Sequence, residues 1–243
     1  MALRLDKYLT ETGAGTRSEV KKMIRAGQVT VNGETTRKPE QKVDEKTDVV
    51  FLSGKRLIYR AAEYYLFHKP AGCVTATEDN LHRTVMDYLT DTVRGDLFPV
   101  GRLDLDTEGL LLITNDGEMA HALLSPARHV PKTYFANVRG CVTEEDVNRF
   151  LSGVDIGENA PARPAELTIV KAGEISEILL TVTEGKFHQV KRMFRAVGKE
   201  VLYLRRVSMG PLTLPDTLAP GEYRALTEEE LAALRALTQG AGH

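Results

Sequence analysis

The sequence predicts a two-domain α+β protein, with a small N-terminal α+β module over residues 1–60 and a larger domain over about 62–237. Three observations point there. Charge divides at the boundary: residues 1–60 hold 13 Lys/Arg against 8 Asp/Glu, while the other 183 hold 19 against 26. The first sixty residues show apolar residues at helical spacing and then alternation with period two. Beyond them, short apolar runs end at Gly, Pro or Asn-Asp-Gly clusters, the pattern of buried strands closed by turns.

In the module, Leu3, Leu5 and Leu9 among charged residues predict a short helix over 3–9. Thr16 followed by Glu19 is a capping-box spacing, and Val20, Met23 and Ile24 continue as one helical stripe that Gly27 ends. Gln28–Val31 alternates as a strand, Asn32-Gly33 is a tight-turn signal, and Asp48–Leu52 reads as a second strand. Arg17, Lys21, Lys22 and Arg25 lie off the apolar stripe and form a basic outer face, to which Arg37 and Lys38 add charge. After a connection near Arg60–Glu63, Tyr64–Phe67 reads as a buried strand running into His68-Lys69-Pro70-Ala71-Gly72. Leu110–Thr114 is a second buried strand that Asn115-Asp116-Gly117 closes with a turn. The loop before it carries Arg102, Asp104 and Asp106 at alternate positions between glycines, and a loop seated against a buried strand is where reactive groups concentrate. A helix beginning near His188 places Lys191 and Arg195 on one face and turns Val190, Met193 and Phe194 to the core. Thr227–Glu230 is a capping box before Leu231, Leu234 and Leu237, and a flexible tail is expected over 238–243.

Composition sets limits on function. At 243 residues, 42% apolar and 27% charged, the chain is ordinary globular material. A net charge of −2 argues against a nucleic-acid binder held by bulk positive charge. Locally the balance reverses: residues 1–60 carry +5, and Thr183–Arg206 carries seven basic residues against Glu184 and Glu200. Two basic regions in an acidic chain suit contact with a polyanion at defined places. No apolar run approaches the roughly 18 residues of a membrane span, and charges interrupt the apolar positions of the N-terminus, so a cytoplasmic protein without a signal peptide is expected. His68, His82, His121, His129, His188 and His243 show no zinc-ligand spacing with Cys73 and Cys141. The histidines read as satisfied polar residues or RNA contacts, and the cysteines as small buried apolar residues.

Longer strings carry resemblances. Leu5–Leu9, Thr16–Glu19 and Ile24–Gly33 resemble the small RNA-binding domain first known from ribosomal small-subunit protein four. Phe98–Gly117 is similar to the signature of the pseudouridine synthases, and its Gly-Arg-Leu-Asp beginning resembles the branch that includes the ribosomal small-subunit enzyme. Lys69–Gly72, Lys132-Thr133-Tyr134, Glu184–Phe194 and Leu218–Arg224 extend the match over most of the chain.

The resemblance implies a catalytic domain built on a mixed, mostly antiparallel β-sheet flanked by helices, with the active site in a cleft across it. It also implies the reaction, in which the N1–C1′ bond of an RNA uridine breaks, the base rotates, and C5 takes the place of N1, with no cofactor and no metal. It assigns the essential carboxylate to Asp104, acting as nucleophile, as stabiliser of positive charge or as base, and leaves Asp106 a structural part. It gives Arg102 the space vacated by the flipped base, Tyr134 the stacking on uracil, and Lys191 the pairing that holds the carboxylate ionised, with Arg192 as the alternative. Arg17, Lys21, Lys22, Arg25, Arg37, Lys38, Lys186, Arg192 and Arg195 are the expected RNA contacts. The implied partner is ribosomal RNA, 16S in preference to 23S, or a subunit assembly intermediate, met by a monomer. The alternative from another class is a non-catalytic rRNA-binding assembly factor.

Overall fold

The structure, a computed structural model, describes residues 2–239. It divides into two compact units, Met1–Glu63 with Leu89–Phe98, and Tyr64–Tyr88 with Pro99–His243.

The small unit begins with β1 (Ala2–Arg4), α1 (Leu5–Glu11) and α2 (Arg17–Arg25). The capping box forms: the Thr16 amide donates to Glu19 at 2.8 Å, and the Glu19 amide donates to the Thr16 hydroxyl. This sets the phase of α2, so Val20 and Ile24 are buried against Leu5, Tyr8 and Leu9 of α1. Leu3 is not helical. It lies in β1, opposite Val43 of a later strand, because only alternate side chains of Ala2–Arg4 turn inward. The remaining strands are β2 (Val29–Val31), β3 (Glu34–Thr36), β4 (Lys42–Asp44), β5 (Val50–Leu52) and β6 (Lys55–Leu57). β1 pairs β4, and the others form a sheet in the order β3-β2-β5-β6. Asn32 and Gly33 both adopt positive φ (53° and 86°), the geometry of the tight turn their identity predicts.

A continuous larger domain from residue 62 needs correction, since Leu89–Phe98 packs in the small unit. The reason is Arg94, which is buried and takes its anions there: its Nε donates to Asp96 at 2.8 Å and its Nη1 to Glu11 at 3.1 Å. Glu63 also accepts the backbone amides of Val93 and Arg94. A buried guanidinium is tolerated only where carboxylates meet it.

The larger unit contains β7 (Tyr64–Lys69), β8 (Phe98–Val100, whose first residue is counted with the small unit), β9 (Glu108–Thr114), α3 (Gly117–Leu124), β10 (Lys132–Arg139), α4 (Glu144–Ser152), β11 (Glu166–Lys171), β12 (Ile175–Val182), α5 (Gln189–Ala196), β13 (Glu200–Met209), β14 (Leu212–Thr213), β15 (Tyr223–Ala225) and α6 (Glu228–Gln239). Its sheet runs β11-β12-β10-β13-β9-β7-β15, with β8 on β9 and β14 on β13. Strands β9 and β13 are parallel and their other neighbours along that path antiparallel, so the sheet is mixed and mostly antiparallel. Phe150 of α4 and Met193 and Phe194 of α5 pack on Ala136, Ile178 and Leu180 of β10 and β12.

The parallel seam joins the two halves of the sheet, and Gly109 makes it possible. It sits at φ 109° opposite Arg206, where a Cβ would lie 2.2 Å from the Arg206 carbonyl oxygen. Asn115-Asp116-Gly117 starts a helix instead of closing a simple turn, because the Asp116 carboxylate accepts the Met119 amide and caps α3. Thr238 and Gln239 complete α6 and do not belong to a tail; Gly240–His243 lie outside the described residues. Cys73 is buried as expected, but Cys141 is exposed: it lies past the end of β10 at Arg139. Among the described residues no helix is long and apolar enough to cross a membrane.

Candidate active site

The loop from Gly101 to Thr107 enters β9 between β7 and β13, and its backbone is tied down from both sides. Lys69, fully buried at the end of β7, sends its ammonium into a ring of carbonyls: Asp104 at 3.0 Å, Thr107 at 2.9 Å and Pro70 at 3.0 Å. Burial pushes this ammonium below the ordinary lysine range, so it acts as a structural donor and not as a solvated charge. The Thr75 hydroxyl accepts the Leu103 amide and donates to its carbonyl, while the Gly72 amide donates to Leu105. Five backbone groups of residues 103–107 therefore have fixed partners, and the Asp104 side chain is aimed by the strand ends beneath it.

On the other side, α5 supplies the countercharge. Its start is set by Gln189, 5% exposed, which donates to Glu184 at 2.8 Å and accepts the Lys186 amide at 3.0 Å. The phase that results brings Lys191 Nζ to 3.1 Å from Asp104 and 2.6 Å from Asp106. Burial pulls the Lys191 ammonium down, but hydrogen bonds to Asp106 and Asp104 outweigh it and leave it above the usual lysine value. The same bond from Lys191 holds the Asp106 carboxyl below the usual carboxylate range. Asp106, largely exposed, thus shares the lysine with Asp104. His188 Nε2 lies 3.5 Å from the other Asp104 oxygen.

Asp104 and His188 face a cleft of about 910 Å³ that is also lined by Arg102, Lys132, Tyr134, Phe187 and Arg206. Tyr134 of β10 is registered opposite Arg206 of β13, so both side chains emerge on one face of the sheet. The structure therefore gathers Arg102, Asp104, Tyr134 and Lys191, drawn from a loop, a strand and a helix. It does not gather Arg192. That guanidinium turns away to Glu158 and the Ile156 carbonyl, both at 2.5 Å, so the alternative partner for Asp104 is set aside. Lys186 is likewise engaged with the carbonyls of Ala160 and Pro161. Arg195 is exposed, as are Arg17, Lys22, Arg25, Arg37 and Lys38 in the small unit, whereas Lys21 is half-buried and 3.9 Å from Asp6.

Sequence reasoning missed three cations. Lys69 ends an apolar strand, and a lone charge at that place was the available signal. Lys132 and Arg206 are 8% and 2% exposed and make no ion pair among the described residues. Lys132 donates to the Val130 carbonyl and Arg206 to that of Leu110, while Arg206 Nη2 is buried without a partner. Burial, and then the charge of Arg206, push the Lys132 ammonium down to about 8. A lysine that titrates near 10.5 unfolded and 8 folded destabilises the native state at and below pH 8, and the penalty is relieved as pH rises from 8 to 10.5. Lys132→Met is therefore expected to stabilise the protein at pH 7 by about 1–3 kcal/mol. Urea denaturation at a series of pH values checks this; a gain that did not shrink toward pH 10 would contradict it.

In the larger unit a carboxylate on a clamped loop, paired with a lysine, opens on a cleft across a mixed sheet, an arrangement of the kind enzymes use. Comparison with known proteins makes the class specific. The profile of RNA pseudouridylate synthases matches residues 63–196, and that of the S4 domain residues 3–50. Over 96% of its length the chain is 47% identical to an uncharacterised RNA pseudouridine synthase of Bacillus subtilis strain 168, covering 98% of that protein. It is 38% identical to ribosomal small subunit pseudouridine synthase A of Escherichia coli K12, covering 96% of this chain and 100% of that one. A crystal structure of a pseudouridylate synthase matches with a TM-score of 0.67 at 36% identity, over 96% of this chain and 99% of that one. The chain belongs to the RNA pseudouridylate synthase family and carries an S4 domain in its N-terminal unit.

Proposed function

We propose that this enzyme converts one uridine of ribosomal RNA to pseudouridine, with the 16S rRNA of the small subunit as its target. The observation that carries the reading is Asp104, 3.1 Å from Lys191, at a cleft shared with Arg102 and Tyr134. The glycosidic bond is inaccessible in a stacked strand, so the uridine must first be extruded, at a cost of a few kcal/mol. Arg102, exposed beside the cleft, has the planar donor group to occupy the vacated place. Tyr134 stacks on the extruded uracil, a contact worth roughly 1–3 kcal/mol. Asp104 then acts on the nucleoside as N1–C1′ breaks. Rotation brings C5 to C1′, the C5 proton leaves, and N1 is protonated. Nucleophilic attack, charge stabilisation and proton removal all need the carboxylate aimed at the sugar or base, which the clamps and Lys191 supply. The names of relatives as ribosomal small subunit enzymes support the 16S target.

The test is tritium release from rRNA labelled at uridine C5, with pseudouridine mapping in cells lacking the protein. One site lost from 16S rRNA supports the reading, a site lost from 23S rRNA moves the target to the large subunit, and no release from either favours an assembly factor.

The S4 unit supplies affinity through its basic face. Arg25 and Arg37 are exposed neighbours, Arg37 donating to the Arg25 carbonyl at 3.4 Å. The double variant Arg25→Gln/Arg37→Gln is expected to lower the slope of log K against log salt by roughly 1–2. Filter binding to rRNA across a salt series measures it, and an unchanged slope would remove these two residues from the interface. Point changes are needed because deleting residues 1–60 would strip buried Arg94 of Glu11.

A further inference from the structure

Phe187 is 74% exposed and lies at the same cleft as Asp104. Exposure by itself says little, since single apolar side chains on surfaces are common. This ring, however, is presented by a built turn. It lies flat on the His188 imidazole, with centroids 3.8 Å apart and planes 21° from parallel. His188 holds φ at 48°, a left-handed conformation that a residue with a side chain keeps only where its surroundings impose it. Those surroundings are the Gln189 bridge to Glu184 and Lys186, together with Arg192, which donates to the Phe187 carbonyl at 3.2 Å. The inner ring of the stack reaches Asp104 through His188 Nε2 at 3.5 Å. A continuous column therefore runs from the carboxylate through imidazole to phenyl and stops at solvent. A flat, rigid, apolar face open at the mouth of a polynucleotide site fits a nucleobase, because stacking needs only a π face.

We infer that the Phe187–His188 stack is a shelf for the nucleobase next to the extruded uridine, and that Phe187 is a positioning residue for the substrate strand. The inference rests on the proposed function. Stacking tolerates every base, so the shelf sets the path of the strand and leaves its sequence unread.

Full-length Phe187→Ala and Phe187→Trp test it, with tritium release from transcribed 16S and 23S rRNA as the readout. The Ala variant is expected to raise KM roughly tenfold with kcat little changed, and Trp to restore KM. An unchanged KM in Phe187→Ala, a loss confined to kcat, or failure of Trp to restore would each overturn the shelf. A second measurement reads stacking without turnover, through the fluorescence of 2-aminopurine in a single-stranded oligoribonucleotide. Wild type and Phe187→Trp should quench it and Phe187→Ala should not; equal quenching by all three would also overturn the inference. No release by wild type from either rRNA would instead refute the proposed function, which separates the two failures.

Discussion

Asp104→Asn is expected to lower the rate of pseudouridine formation by at least roughly 10⁴-fold, the scale on which enzymes lose rate when an essential reacting group is removed. The substitution keeps the shape of the side chain and removes its charge. Stability should stay within about 1 kcal/mol of wild type, since the loop is held by carbonyls and amides and not by this carboxylate. Lys191 keeps Asp106 at 2.6 Å and so retains a partner. RNA binding is expected to survive, because Arg102, Tyr134 and the S4 unit are untouched. Tritium release, thermal melting and filter binding on one preparation separate these effects. Asp106→Asn is the control: its carboxylate is 72% exposed and stands outside the cleft lining, so a loss below tenfold is expected. Asp104→Asn retaining a tenth of wild-type activity, or Asp106→Asn losing as much as Asp104→Asn, would refute the assignment.

Gly109→Val is expected to cost more stability than any other single change considered, upward of about 4 kcal/mol, which approaches the whole margin of a typical domain. Two effects combine. The added Cβ meets the Arg206 backbone, at 2.2 Å from the carbonyl oxygen and 2.6 Å from the nitrogen, and a backbone on a sheet seam has nowhere to move. The φ of 109° is also one that side-chain-bearing residues rarely adopt. The contact falls on the β9–β13 pairing, whose register is only Glu108 with Arg205 and Gly109 with Arg206. Relief of the clash would part the two halves of the sheet and loosen the Asp104 loop, which leads directly into β9. Gly198→Ala separates strain from clash, since Gly198 has φ 74° and open space around its missing Cβ. It should cost about 1–2 kcal/mol. Denaturant titration of both variants decides, and a Gly109→Val protein as stable as Gly198→Ala would mean the seam yields.

Much of this was legible in the residues. Thr16 with Glu19, Asn32-Gly33 and the apolar run Leu110–Thr114 gave their elements because capping, turn geometry and period are decided within a few residues of chain. The Arg102–Asp106 loop was legible for a different reason, the long family match of Phe98–Gly117, which together with the matches at Lys132–Tyr134 and Glu184–Phe194 implied roles for Arg102, Asp104, Tyr134 and Lys191. Neighbouring information failed where a residue's partner lay far along the chain. Asp116 could close a turn or cap a helix, and the helix won once Met119, Ala120 and Leu123 had a core to enter. Arg94 sits in a stretch without periodicity, and only its burial beside Glu11, more than eighty residues away, explains where 89–98 goes.

By itself, then, the sequence determined the two-part α+β plan, the family and the chemical groups available to the site. Tertiary structure decided which of those groups meet. Lys191 and Arg192 are adjacent on α5 and about 100° apart around its axis, so only the phase set at His188 and Gln189 turns one to Asp104 and the other to Glu158. The burial of Lys132 and Arg206 without a carboxylate depends on the β10–β13 register, which shifts at Thr133/Tyr134 and again at Asn137/Val138. Helix phase and strand register are relations between distant segments, and they exist only once the chain has packed.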